Sequence, residues 1–202
     1  RQRFNAVMHY QPRDRSPICD FGFWDETLVL WHDQGLPRYV TGPATSDVFF
    51  GMDTGLDRIM GAIGVNSGLE PPFEEKVIED RGDYEVIQQA NGVRVLRKKF
   101  MGSIPKHLGH LLVDRESWRK HYKPRLDPTN PARYPADWNE RVKTWTDPHR
   151  EHVLALPGGS LYGWLRDWMG MENLSLVVYD DPAWFEEMVT TVADCIVGTL
   201  TC

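Results

Sequence analysis

The residue types best suited to chemistry fall in two stretches, Asp20 to Trp24 and Gly158 to Arg166. Gly158-Gly159-Ser160 follows the apolar run Val153 to Leu156 and Pro157, and precedes a helical pattern. A glycine pair lets backbone approach a ligand closely, and the N–H groups at a helix start attract anions. Ser160 is also a good helix cap, so the turn either binds an anionic group or joins a strand to a helix. It is not a P-loop, because no Lys-Ser/Thr follows, and its spacing is not that of a dinucleotide fingerprint. Tyr162 and Arg166 lie on the helix that follows. The planar guanidinium of Arg166 suits a carboxylate substrate; the alternative is a surface pair with Asp167 or Glu172.

Asp20 stands inside an apolar stretch, where a charge is costly unless paired or exposed at a strand end. With Phe21, Phe23 and Trp24 beside it, it fits an apolar pocket with a few polar groups; the alternative is an aspartate hydrogen-bonded to a loop. The histidines form two close pairs, His107-x-x-His110 and His149-x-x-His152, both beside proline or glycine. No cysteine or carboxylate cluster completes a four-ligand set near either, so no metal site is assigned within this chain. No cysteine is close to a histidine and there is no G-x-S-x-G turn, so a nucleophile has no local support.

Composition bounds the partners. A net charge of −6 with dispersed lysines and arginines argues against nucleic-acid binding. No apolar run approaches the ~20 residues that span a bilayer. Three cysteines, scattered at Cys19, Cys195 and Cys202, make no disulfide framework, and a cytoplasmic setting is expected. The chain opens at Arg1 rather than methionine and ends at Cys202 straight after a helical pattern, as a piece of a larger protein would.

Several elements must position these residues. Arg1 to Tyr10 is expected to be a short helix, Ile18 to Trp24 a buried strand, and Asp25 the cap of a helix carrying Leu28 and Trp31 that stops at Gln34-Gly35. Thr41 to Asp57 is expected to be a loop anchored by Val48-Phe49-Phe50. Arg58 to Val65 is a strand or a short helix. Phe73 to Asp80 is expected to form one or two helical turns. Tyr84 to Phe100 reads as a hairpin, two alternating runs around Asn91-Gly92, with a type I′ turn. Asp114 caps a helix with Trp118 and Tyr122 one turn apart. Leu126 to Pro135 is expected to be a connection too polar to be buried, and Ala136 to Trp145 a helix. Leu161, Trp164, Leu165, Trp168 and Met169 then trace a helix ending at Gly170. Asp180-Asp181-Pro182 opens another, with Phe185, Met188, Val189, Val192 and Ile196 on its apolar face. Strand, turn and helices together read as one unit of an α/β protein.

In this order, certain motifs resemble the uroporphyrinogen decarboxylase superfamily, which includes the decarboxylase and the zinc- and corrinoid-dependent methyltransferases. They are Arg1-x-Arg3-Phe4, Asp14-Arg15-Ser16-Pro17, Phe50-Gly51-Met52-Asp53 and Asp114-Arg115-Glu116-Ser117-Trp118. Gly158-Gly159, Met169-Gly170-Met171-Glu172-Asn173 and Tyr179-Asp180-Asp181-Pro182 complete the set. The resemblance implies a (β/α)8 TIM barrel, of which residues 1–202 would be the N-terminal half of a single domain, with the hairpin as an insertion and the remainder of the barrel as its partner. A complete barrel takes about 250 residues.

The resemblance also implies a site at the barrel's catalytic face. Asp20 and Arg166 would be catalytic, and Phe21, Trp24, Gly158, Gly159, Ser160 and Tyr162 would bind substrate. Decarboxylases hold their substrate's carboxylates with an Arg-Gln-Ala-Gly-Arg motif, where this chain reads Asp20-Phe21-Gly22-Phe23-Trp24-Asp25. The expected activity is therefore corrinoid-linked methyl transfer on a small substrate, with a tetrapyrrole or corrinoid as ligand and a corrinoid protein as partner. Uroporphyrinogen decarboxylation in porphyrin biosynthesis and a non-catalytic ligand-binding barrel are the alternatives. No metal ligand is assigned in this chain. Zinc, which the methyltransferases hold by His-x-Cys and a distant Cys, would sit on residues beyond Cys202.

Overall fold

In a computed structural model, which describes residues 1–19, 22–53, 60–102, 104–150, 153–156 and 158–201, the hairpin expected around Asn91-Gly92 is the middle of a larger sheet. Strands β2 (Lys76–Arg81), β3 (Tyr84–Gln88), β4 (Arg94–Lys98) and β5 (Lys106–Gly109) pair antiparallel in chain order. The β3–β4 turn is not type I′. Gln88 pairs with Arg94, Gln89 N–H donates to Val93 O at 2.9 Å, and Gly92 N–H returns to Gln89 O at 2.8 Å. The loop is therefore three residues long, with Gly92 at φ 82° closing it. A Cβ on Gly92 would lie 2.9 Å from the Tyr122 hydroxyl and 3.1 Å from the Phe73 ring, so glycine is needed for space as well.

Strand β2 replaces the helical turns expected for Phe73 to Asp80. Val77 and Ile78 suit a strand, and Gly82, at φ 75°, begins a two-residue turn that folds β2 back on β3.

The sheet belongs to a compact unit of Gly64–Ala136 and Pro157–Cys202. Here Asp114 caps α4 (Arg115–Ser117), its carboxylate accepting from Ser117 N–H at 2.7 Å. The helix runs on as a π turn (Trp118–Tyr122) and a 3₁₀ turn (Lys123–Arg125). Trp118 and Tyr122 are fully buried. They share a core with Leu165, Trp168 and Met169 of α6 (Leu161–Met169), Leu174 of α7 (Met171–Asp180) and Met188, Val192 and Ile196 of α8 (Pro182–Leu200). Each large side chain so buried contributes roughly 1.5–3 kcal/mol. Helix α7 fills the stretch between the two helices that periodicity predicts.

The expectation that Leu126 to Pro135 is unburied is wrong at Leu126 and, more informatively, at Arg133, which is 1% exposed. Its guanidinium donates to four backbone carbonyls, those of Asp127, Asn66, Gly68 and Arg125, at 2.7 to 2.8 Å. A cation enters the interior here because carbonyls from two segments converge on its planar fork.

The other unit comprises Arg1–Ile63 and Asp137–Leu156. It holds α1 (Gln2–Met8), α2 (Asp25–Asp33), α3 (Pro43–Phe49) and α5 (Trp138–Thr146). Helix α3 stands where a loop was expected, with Pro43 at its first position. Asp25 begins α2 but does not cap it; Trp24 holds the cap position without a side-chain bond. The strand expected for Ile18 to Trp24 is absent among the described residues there. Ile18 is exposed and Gly22 adopts φ 115°, which breaks an extended run. Asp20 and Phe21 lie outside the described residues.

The (β/α)8 half-barrel is not what the described residues form. Their parallel pairing is confined to β1 (Met60–Ala62) and β6 (Val153–Ala155), three residue pairs long. The remaining described strands make an antiparallel meander, with turns of two and three residues at β2–β3 and β3–β4 in place of the helical crossovers a barrel requires. Strand β6 and helix α6, expected to be one βα unit, fall in different compact units.

Candidate functional site

Helix α6 gathers most of the residues singled out for chemistry. The Ser160 hydroxyl accepts the Gly163 N–H at 2.9 Å, the bond of an N-cap. Gly159 adopts φ 61°, and a Cβ there would lie 2.5 Å from the Trp164 ring and 2.8 Å from Ile196. Its bareness therefore serves close packing with its own core. Gly158 has nothing within 4 Å of where its Cβ would be, and is the open part of the turn. One helical turn separates Tyr162 from Arg166, which places both on one face. Tyr162 Oη lies 3.8 Å from Met171 Sδ. Arg166 reaches its neighbour Asp167 through Nε at 3.0 Å and Nη2 at 2.8 Å, both half-exposed.

Trp24 belongs to the other unit, where it is 53% exposed. The adjoining Phe23 packs on Trp31 and Phe50, ring centres 5.2 and 5.5 Å away. Phe50 in turn meets Phe49 edge-on at 5.0 Å.

The motif residues that carry the family resemblance close on one another within each unit. Arg3 and Arg15 both pair with Asp53, and Arg3 also takes Asp14, with Nη2 to Oδ2 at 2.6 Å. Asp53 also holds the backbone at Ile18, accepting the Ile18 N–H at 2.9 Å and donating its own N–H to Ile18 O at 2.8 Å. The Asp14 carboxyl is held well below the usual range, chiefly by Arg3. Partial burial pushes the Asp53 carboxyl up, but the Ile18 N–H, Arg15 and Arg3 together bring it below its ordinary value. In the second unit Arg115 pairs with Asp181, the cap of α8, and reaches Glu187 at 3.5 Å. Glu187 also takes Lys123 at 2.9 Å and the Trp118 indole N–H at 3.3 Å.

A second feature stands beside α6. The His107 and His110 rings meet edge-on, centres 5.4 Å apart. His110 sits at the C-terminal end of α6, its Nε2 beside Gly170, and the backbone at Asp167 and Trp168 favours the charged ring. Its Nδ1 is buried without a partner. Desolvation first, and His107 second, hold this imidazole's pKa below the ordinary value. The sequence shows the spacing of this pair but not its seat against a helix end. Of the other pair, His152 lies outside the described residues.

Among the described residues no three of His, Cys, Asp and Glu converge as a metal site, so a zinc site of the kind the methyltransferases carry does not fit them. The Cys195 thiol is buried, its Sγ 3.7 Å from Ser67 O, and burial pushes its pKa up, the opposite of a nucleophile or ligand. Among the described residues no helix is long and apolar enough to cross a membrane. No protein-family model, no curated protein and no solved structure matches the chain.

Proposed function

We propose that this chain belongs to an enzyme of the uroporphyrinogen decarboxylase superfamily that carries out corrinoid-linked methyl transfer on a small substrate, in the cytoplasm. The observation that carries the reading is the mutual pairing of the motif residues. Motifs 38 residues apart meet where Arg15 binds Asp53, and motifs 66 residues apart meet where Arg115 binds Asp181. Residues that recur as a set have a physical reason to do so when they bind each other. The reading concerns family and chemistry, and a barrel half is not part of it.

Methyl transfer is favoured over decarboxylation by charge. Uroporphyrinogen carries many carboxylates and needs cations to hold it. Arg3, Arg15 and Arg166 are each engaged by a neighbouring carboxylate, and the stretch where decarboxylases place their arginines has Asp20 and Asp25 instead. Within this reading Arg166 orients substrate or handles protons. Tyr162 and the Gly158–Ser160 turn, within one compact unit, bind that substrate, and a corrinoid protein is the partner.

The test supplies the natural full-length protein with methylcobalamin and small nucleophilic acceptors. Acceptor-dependent demethylation, seen as a change in the corrinoid absorbance spectrum, is the expected result. A corrinoid spectrum unchanged with every acceptor would leave the non-catalytic binding reading in its place.

A further inference from the structure

We propose that His107 and His110 form a two-histidine binding site for a divalent cation of the zinc class, with water in its remaining coordination positions. The site is separate from the zinc ligands that the family resemblance places beyond Cys202.

Four observations converge on the pair. The first is spacing. Two imidazoles bound to one tetrahedral ion, each at about 2.0–2.1 Å, place their ring centres roughly 5 Å apart. Those of His107 and His110 are 5.4 Å apart. The second is orientation. A histidine that ligates a metal donates its other ring N–H to a backbone carbonyl, carboxylate or water, which fixes its tautomer and aims the free lone pair. His110 turns Nε2 toward Gly170 and the end of α6, where the Asp167 and Trp168 backbone favours a proton on the ring, and its Nδ1 is left buried without a partner. A buried acceptor with no donor is uncommon, and an ion would satisfy it.

The third is the seat. Gly170 ends α6 at φ 89°, and a Cβ on it would lie 2.9 Å from His110 Nε2. The backbone there leaves room for an imidazole and for little else. The fourth is the local field. His110 sits at the C-terminal end of α6, where helix carbonyls favour a cation, and the Asp167 carboxylate acts on it with the same sign. Arg94 opposes this, since its guanidinium packs over Gly109 between the two histidines in sequence, and it limits the affinity. His107, on β5, is exposed and gives the ion its way in. Paired imidazoles suit Zn²⁺, Ni²⁺ and Cu²⁺, whereas Mg²⁺ and Ca²⁺ prefer oxygen ligands. No third His, Cys, Asp or Glu joins the two among the described residues, so water completes the shell.

The experiment is calorimetric titration of zinc chloride into the 202-residue chain at neutral pH, with Mg²⁺ in the buffer as a competitor the site should ignore. The expected result is a saturable site that His107→Ala and His110→Ala each weaken by about tenfold or more, while His149→Ala leaves it unchanged. His107 is exposed, so its variant keeps the fold and decides the matter even if His110→Ala unfolds. Zinc affinity in His107→Ala equal to that of the parent chain, or no saturable uptake by the parent, would overturn the proposal.

Discussion

Arg115 closes on Asp181 with two arms of its guanidinium, Nε and Nη2 each 2.8 Å from a different carboxylate oxygen. Asp181 is also the N-cap of α8, its Oδ1 accepting the Trp184 N–H at 3.2 Å. One carboxylate thus fixes the start of the longest helix and ties it to α4. The Asp181 carboxyl is held below its ordinary range, mainly by Arg115. The unfolded chain therefore takes up this proton at a higher pH than the folded chain. The contribution is present above the ordinary carboxylate pKa and lost as pH falls through the folded value, below about 4. Asp181→Asn is expected to flatten the pH dependence of stability in that window, followed by acid unfolding under circular dichroism. Asp181→Ala should destabilise more than Arg115→Ala, because it removes the cap as well as the pair.

Arg133→Met is expected to be among the most damaging single changes. It leaves four carbonyls near the interior without their donor, a loss of about 3 kcal/mol or more. Arg133→Lys should recover little of this, because a point charge cannot reproduce the planar fork. Urea unfolding of the two variants measures both effects.

Gly158 and Gly159 are adjacent but should respond in opposite ways. Gly159→Ala forces a positive φ on alanine and drives its Cβ to 2.5 Å from the Trp164 ring, at a cost of about 2–4 kcal/mol. Gly158→Ala meets nothing within 4 Å and should change stability by about 0.5 kcal/mol or less. Thermal unfolding of the pair separates a packing role from a ligand-approach role at this turn. If Gly158→Ala instead weakens substrate binding at unchanged stability, the open backbone of the turn touches the ligand.

Cysteine reactivity should follow burial. Cys195 is buried with a raised thiol pKa, whereas Cys19 is exposed. Brief alkylation at neutral pH, mapped by mass spectrometry, is expected to label Cys19 and spare Cys195 until the chain is unfolded.

Much of the helical structure was legible because it is written in local periodicity. Met188, Val192 and Ile196 mark the buried face of α8, and the caps at Asp114, Ser160 and Asp181 all bond as their positions imply. Strand β2 was not legible, since Val77 and Ile78 in so short a run fit either a strand or a helical turn, and pairing with β3 decides between them. The barrel expectation failed for a related reason. A strand, a glycine turn and a helix in succession describe many connections, and which strands pair is a tertiary property that β1–β6 and the antiparallel sheet settle differently. Arg133 gave no signal at all in its proline-rich segment, because its partners are backbone carbonyls, which every sequence has. At the candidate site, the sequence left Ser160 and Arg166 with two roles each; the structure shows a capping bond for one and a bond to Asp167 for the other.

The preference for methyl transfer over decarboxylation is tested most directly by incubating the natural full-length protein with uroporphyrinogen and separating the products by their number of carboxylates. The substrate is expected to be recovered with all its carboxylates, because no arginine clamp stands at residues 20–25. Stepwise accumulation of products with fewer carboxylates, at a rate that depends on enzyme concentration, would contradict it.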